Sequence, residues 1–540
     1  MRSRTKAILF ALTALLLFSF TAQQHGHLFR CKPLNGVTEE KAMPAFSFGN
    51  YRDGSLQKGT EAYLQQHYGF NEPLTRFYNQ CLWTFFRYSW AEEKMRILVT
   101  NDNWIFEPWT VEEYYQGCGY KFTDSLEQLA KAFDAEAKRL YQIQHILEPY
   151  GTHLFVALQP GKELVCGEHM PPNTRYHKEK ELTAFSYYSK RLKELGVNHV
   201  NFGEWFVQMK DTVSYPLYPQ TGTHWSNLAA MHVTDSLIRY MEQLADINLM
   251  NLNIGPSWQQ TRSPDNDLES PMNLIWPLKK APNLYALALS DHDSTALRPR
   301  LLTIGDSYYW NILNNTPVSD VFDGVPYWFY FSTAFFDGDE THVAEKDLLA
   351  ELLAADFVML SYATTQLYSM SNGFSIKTLL ELCYDDHEIK AGKAKAWQDF
   401  ERDTAMVAKA KKRAKKENDP IKVAMDDEFE DWMKLHIETY FPALRDSIPK
   451  RRSTEMKALS GDSVAFMEWQ TQKLVKAIKA TPKWMEAIRE QAAQTGVDLE
   501  TTILSNARWT VDNNLKNGTL KVADMTRKNL KKPKNHGVQQ

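Results

Sequence analysis

The sequence predicts an α/β protein: a mainly parallel sheet flanked by helices, continued by a helical C-terminal extension. Two textures along the chain carry this reading. From residue 95 to 383, short apolar runs closed by polar turns alternate with amphipathic stretches, the pattern of buried strands joined by helical crossovers. Beyond Cys383 those runs stop, and a charged, Ala- and Lys-rich remainder of helical spacing follows. At 540 residues the chain has room for several domains and a large core.

Residues 1–22 read as an export signal or a membrane anchor. Arg2, Arg4 and Lys6 precede an apolar run over residues 7–20, the basic and apolar regions of a secretory segment. A spanning helix needs about 20 apolar residues, and Thr21 and Ala22 bring the run near that length. Phe20 and Ala22 do not make a small-x-small cleavage site, which favours an uncleaved anchor over removal. In both cases the remainder leaves the cytoplasm. Residues 23–94 form a mixed helical and irregular segment, rich in aromatics and helix formers over 61–86, expected to pack on the domain that follows.

In the α/β domain, 95–383, the runs 97–99, 153–158, 197–202, 301–304 and 357–362 are the expected strands, and 126–147 and 225–244 the expected helices. In the extension, 384–540, residues 466–480 and 484–495 have helical spacing. Its basic run, Lys409, Lys411, Lys412, Arg413, Lys415 and Lys416, reads as a solvated helix face rather than an anion site. The basic polar tail from Lys528 reads as disordered.

Bulk properties exclude more than they assert. With 62 basic against 66 acidic residues, the chain has no global field to gather nucleic acid. Cys31, Cys81, Cys118, Cys166 and Cys383 are odd in number and lack Cys-x-x-Cys spacing, which argues against a thiolate metal site and a full disulfide framework.

Two segments carry chemistry. The apolar run 301–304 leads straight into Gly305-Asp306-Ser307. At the C-terminal edge of a parallel strand a serine hydroxyl stands clear of the sheet, and Gly305 lets the backbone turn and bring N–H groups near a developing oxyanion. A second copy, Gly461-Asp462-Ser463, has no strand before it and reads as an ordinary turn and helix cap. The other segment is Thr221-Gly222-Thr223-His224-Trp225-Ser226-Asn227. With Thr223 as cap, His224 falls in the first helical turn, where the helix dipole favours a neutral ring able to accept a proton. A general base requires that state.

Together the two segments resemble the paired signatures of the SGNH-hydrolase-like family of periplasmic alginate O-acetyltransferases and their relatives, an Asp-x-His-Trp segment followed by Gly-Asp-Ser. As in that family, and unlike ordinary SGNH hydrolases, the histidine comes before the serine. Supporting similarity extends over residues 48–374, through Gly69-Phe70, Pro73-Leu74, Asn103-Trp104-Ile105-Phe106, Tyr114-Tyr115, 156–162, 356–362 and Gly373-Phe374. The extension lies outside it. The resemblance implies that Ser307 accepts an acetyl group, His224 is its base, and Gly305 and Asp306 complete the oxyanion turn. It also implies a periplasmic location, a polysaccharide acceptor, acetyl groups delivered through a membrane-bound O-acyltransferase partner, and no metal or other cofactor. Trp104, Lys162, Tyr308, Tyr309 and Trp310 are expected to line the substrate cleft.

The third catalytic position departs from the family. Gly222 stands where the family has its orienting aspartate, and Ser226 where it often has Asn. Asp235 lies about 16 Å along the helix from His224, too far to substitute. Glu204, Asp211 and Asp306 are the candidate replacements, with Asp306 expected to fix its own turn; without one, the site is a Ser-His dyad. Two rivals follow from the departure and the shared nucleophile: an inactive glycan-binding or scaffolding protein of the envelope, and a carbohydrate acetyl esterase.

Overall fold

The computed structural model describes the chain apart from residues 1, 37–40, 90–96, 117–125, 171–181, 261–262, 292, 418, 447–455, 458–462 and 518–540. Cys118, Gly461, Asp462 and the tail from Lys528 therefore lie outside the described residues.

Seven strands form one sheet: β1 (His153–Gln159), β2 (His199–Asn201), β3 (Leu301–Gly305), β4 (Tyr327–Phe329), β5 (Thr333–Phe336), β6 (Asp339–His342) and β7 (Phe357–Ala363). Their order is β6-β5-β4-β3-β7-β1-β2. From β4 to β2 every pairing is parallel, and β5 and β6 close one edge as an antiparallel hairpin. The central strands β3, β7 and β1 are covered on both faces, which is why they read as unbroken apolar runs rather than alternating ones. On one face Leu154, Val156, Leu302, Ile304, Val358 and Leu360 pack against α5 (Leu126–Leu147) and α6 (Ala184–Leu195). On the other, Phe155, Ala157, Leu301, Phe357 and Met359 meet α7 (Asn227–Ala245) and α8 (Tyr308–Asn315).

Three expectations shift. Of 97–99 only Leu98–Val99 is extended, and it pairs with Ile105–Phe106 in a ladder apart from the main sheet. The run at 197–202 is a short strand whose end turns helical, because the Asn201 side chain caps Phe202–Met209 by accepting from Glu204 N. The hairpin β5–β6 and its neighbour β4 had no place in the strand expectations. Their signal was the dipeptide Asp337-Gly338, whose positive φ values of 51° and 87° suit a two-residue hairpin turn.

α9 (Phe374–Cys383) packs on the first face through Phe374 and Leu379, and after residue 383 the helices do not leave the core. Phe400 of α10 (Asp386–Arg402) and Phe429, Met433 and Ile437 of α12 (Ile421–Tyr440) belong to the same apolar cluster as α5 and the sheet. Between them, α11 (Thr404–Glu417) carries the basic run, and there Lys409 pairs with Glu428 and Arg413 with Asp427. A separate small core, Ile478, Ile488, Ile503 and Ala507, begins only with α13 (Ser463–Ala480), α14 (Pro482–Thr495) and α15 (Leu499–Lys516). At the other end, α1 (Arg2–Gly26) projects its apolar side chains outward, and residues 4–26 are long and apolar enough to cross a membrane. It leads to α2 (Phe48–Arg52), α3 (Ser55–Gln66) and α4 (Asn71–Phe86). Cys31, Cys81, Cys166 and Cys383 are free thiols.

Candidate active site

Ser307 follows β3 at the C-terminal edge of the parallel strands, at the N-cap position of α8. Gly305 is required there by close approach: a Cβ would lie 2.2 Å from the Ser361 carbonyl oxygen of β7. Asp306 fixes the turn, its Oδ1 accepting from Tyr308 N at 3.1 Å and its Oδ2 from Ala363 N at 2.6 Å. Burial pushes this carboxyl up to about 6, against the opposing pull of those two N–H bonds.

His224 bridges two segments. Its Nε2 lies 2.9 Å from Ser307 Oγ, and its Nδ1 lies 3.0 Å from Asp267 Oδ2. A carboxylate can only accept, so Nδ1 carries the proton and Nε2 is left to accept from the serine hydroxyl. The other Asp267 oxygen accepts from Thr223 N at 2.9 Å. The carboxylate on the ring is thus Asp267, and not Glu204, Asp211 or Asp306. Nor does a helix dipole set the ring. His224 precedes α7, whose cap is Ser226, accepting from Ala229 N. Thr223 does not cap because its hydroxyl donates to Glu107 Oε2 at 2.8 Å.

Asp267 sits in the excursion between α7 and β3, residues 246–300. Leu268 N and Glu269 N both donate to Thr221 O, and Thr221 Oγ1 donates to Asp265 O. The excursion therefore lies directly against the segment carrying His224. Gly222 is what admits it: a Cβ there would stand 2.9 Å from both the carbonyl carbon and oxygen of Asp265, and 3.0 Å from Pro219 Cγ. Backbone fills the place from which a side chain at 222 would grow, and a carboxylate arrives from that same backbone two residues on.

Lys162 lies beneath this loop. It is 1% exposed, and its Nζ donates to Ile105 O, Gln220 O and Gly222 O at 2.7, 3.0 and 2.7 Å. Burial lowers the ammonium to about 8, opposed by the neighbouring acidic groups of Cys166, Glu163, Asp267 and Glu107. With all its N–H groups spent on backbone, Lys162 lines no cleft. Tyr308 and Tyr309 are also buried; the Tyr308 hydroxyl donates to Thr223 O, and its ring meets His224 edge-on. These three residues build the site from below. Trp104, stacked on His169, and Trp310, packed on Tyr327 and Phe335, are half-buried.

Besides Asp267, two neighbours of the site escaped sequence reading. Glu107 accepts from Thr223 and also from Trp109 Nε1. Tyr330 sits at φ 49°, held by its N–H on Gly305 O, with its hydroxyl near Ser307. A non-glycine residue kept in that region marks strain the surroundings enforce, and such strain clusters at functional sites. Burial raises this phenol well above its ordinary value. Among the described residues no cluster of three or more His, Cys, Asp or Glu could hold a metal.

A Ser–His–Asp hydrogen-bond chain at the edge of a parallel sheet, with histidine ahead of serine in the chain, is the arrangement of an SGNH-hydrolase-like domain. Residues 97–296 match the profile of the family described as SGNH hydrolase-like domain, acetyltransferase AlgX. The match takes in His224 and Asp267 and ends ahead of Ser307. Among solved structures, the O-acetyltransferase domain of Pseudomonas putida AlgJ is 14% identical, with a TM-score of 0.34 over 50% of this chain and 92% of that one. Pseudomonas aeruginosa AlgX is 14% identical, TM-score 0.33, over 52% and 67%. Bacillus cereus PatB1 is 13% identical, TM-score 0.31, over 50% and 96%. No curated protein sequence matches the chain.

Proposed function

We propose that this protein transfers acetyl groups to hydroxyls of an exported polysaccharide through an acyl-enzyme on Ser307, outside the cytoplasm. The observation that supports it most is the unbroken hydrogen-bond chain from Ser307 through His224 to Asp267. Ser307 Oγ attacks the acetyl carbonyl and gives its proton to His224 Nε2, while Asp267 stabilises the imidazolium. The Ser307 backbone N–H, at the start of α8, and the Tyr330 hydroxyl donate to the oxyanion. The imidazolium then protonates the departing donor group. A sugar hydroxyl enters next, yields its proton to Nε2 and attacks the ester carbonyl, and Ser307 recovers its proton as the acetyl ester leaves. Delivery of acetyl groups falls to a membrane-bound O-acyltransferase, beside which α1 would hold the domain. Gly222 favoured an inactive protein only while no other carboxylate reached the ring, and Asp267 removes that ground.

The test is covalent labelling. The full-length protein, treated with 4-nitrophenyl acetate, is expected to gain one acetyl group on the Ser307 peptide. Ser307→Ala is expected to lose it and Ser463→Ala to keep it. Equal labelling of wild type and Ser307→Ala would overturn the covalent mechanism. Chasing the acyl-enzyme with oligosaccharide or buffer separates transfer from hydrolysis: release into water at an unchanged rate makes the protein an esterase.

A further inference from the structure

The last turns of α1 are part of the folded protein. Gln23 is buried, donating from Nε2 to Phe29 O at 2.7 Å and accepting at Oε1 from Phe29 N at 2.9 Å. The Phe20 ring meets Phe70 edge-on at 5.8 Å. Gly69 lies so close to the helix that a Cβ would stand 2.0 Å from Phe20 O. Loss of residues 1–22 would remove the surface that Gly69 and Phe70 fit. The segment that leaves the span is therefore seated on the start of α4, with no free tether between them.

α4 itself is amphipathic the wrong way round for a domain in water. Gln80 and Trp83 are its buried residues, whereas Leu74, Phe77, Tyr78 and Phe85 are 39%, 60%, 52% and 75% exposed. Positions 74, 77, 78 and 85 fall on one stripe at helical spacing. Nearby in the chain, Phe46, Phe48 and Tyr51 are exposed as well, the first two as a ring pair. Apolar surface of this extent marks an interaction site, and its aromatic composition suits the boundary between lipid and water. Where α1 meets the domain, a cavity of about 600 Å³ is lined by His27, Arg30, Tyr63 and His67, side chains that place an apolar stem and a polar tip at headgroup depth.

We infer that α1 stays attached and that α4, with the segment around α2, lies in the headgroup and upper acyl region of the bilayer α1 spans. Its lipid-facing stripe is Leu74, Phe77, Tyr78 and Phe85. The occupant is phospholipid because the stripe begins one turn beyond Phe70, which touches the end of the apolar span itself. The inference rests on the export and anchoring in the proposed function, but not on acetyl transfer. A surface seated this way would hold the Ser307 cleft at a set height above the membrane, where a sugar acceptor and a membrane-delivered acetyl group can both reach it.

The experiment places p-benzoylphenylalanine at Phe77, Phe85 or, as a remote exposed control, Trp509 of the full-length protein, followed by irradiation of cell membranes. Each protein is first required to melt at the wild-type temperature. Phospholipid-mass adducts at 77 and 85, several-fold above those at 509, together with an intact N-terminal segment by mass, are expected. Adducts to protein alone would make the stripe a protein-docking face, adducts no higher than at 509 would place it in water, and a chain beginning near residue 23 would show the helix to be removed; each overturns the inference. Failure of acetyl transfer leaves these readouts unchanged.

Discussion

The imidazole of His224 is held between two kinds of backbone. On one side Ser307 stands on β3, five consecutive buried residues paired on both edges and pressed against β7. On the other, Asp267 rides an excursion whose own strands are two or three residues long. Ser307 is positioned by burial of the sheet. The Asp267 carboxylate is positioned by polar bonds to the histidine segment itself, through Thr221 and Thr223. A carboxylate attached in this way can move along the sequence without disturbing the sheet, provided that the backbone beside the histidine is bare enough to receive the excursion. Gly222 supplies that bareness.

The sharpest way to break this comparison is Asp267→Asn. An amide of nearly the same shape favours the wrong tautomer and cannot stabilise the imidazolium, and in the serine-protease precedent this costs about 10⁴ in turnover. The expected loss in the single-turnover rate of Ser307 acetylation is about 10³ to 10⁴, with Glu204→Gln and Asp211→Asn within about two-fold of wild type. A wild-type rate in Asp267→Asn would mean that the excursion only happens to lie there.

The position of Ser307 was legible because the sheet writes itself into sequence: a run buried on both faces has to be apolar, and the turn ending it is bounded by glycine. The extended helix 126–147 was equally plain from its period. Asp267 was not, since a carboxylate among turn residues has no pattern of its own, and its meaning comes only from contact with Thr221 and Thr223. The capping role of Thr223 was misread for the same reason: its hydroxyl had a partner, Glu107, far away in the chain. The aromatics around Ser307 could be placed in the right neighbourhood but not on the right side of the wall, because a Tyr-Tyr-Trp run looks alike whether it faces substrate or core.

Lys162 ties the histidine segment to Ile105 from below, so its loss should be felt on the histidine side. Lys162→Met leaves the carbonyls of Ile105, Gln220 and Gly222 buried without their donor, which costs about 1 kcal/mol each and about 3 kcal/mol in all, read as a lower urea midpoint. The wild type carries a pH signature. As pH rises through about 8 the ammonium loses a proton and with it a donor, so acetylation of Ser307 should decline there. Stability moves the other way: the unfolded lysine, near 10.5, holds more protons than the folded one between about 8 and 10.5, so this group's contribution grows with pH in that window. Lys162→Met should lack both changes. A decline above pH 8 that persists in the variant would assign it to another group.

Gly222→Asp tests whether bareness matters more than charge. Its Cβ would press on the Asp265 backbone at 2.9 Å and push away the excursion that carries Asp267. Displacing a catalytic group by about 1 Å can cost about 10² in rate, so adding the family's carboxylate is expected to slow acetylation by about that factor rather than speed it. An increase would show that the excursion yields easily and that the second carboxylate takes over the ring.

The smallest expected effect lies on the sheet side, at Tyr330. Its ring packs on Phe329 and its backbone is tied to Gly305 O, so Tyr330→Phe keeps both and removes only the hydroxyl near Ser307. Loss of a single oxyanion donor costs about 10² to 10³ where that donor is fully engaged, but here the Ser307 N–H remains as a second donor. About ten-fold off kcat with KM unchanged is the expected result, about 1.4 kcal/mol of barrier. The phenol acts on the serine oxygen, whereas Asp267 acts on the base that strips it, and that difference orders the two losses. Equal losses for Tyr330→Phe and Asp267→Asn would mean that the sheet edge, and not the excursion, sets the rate.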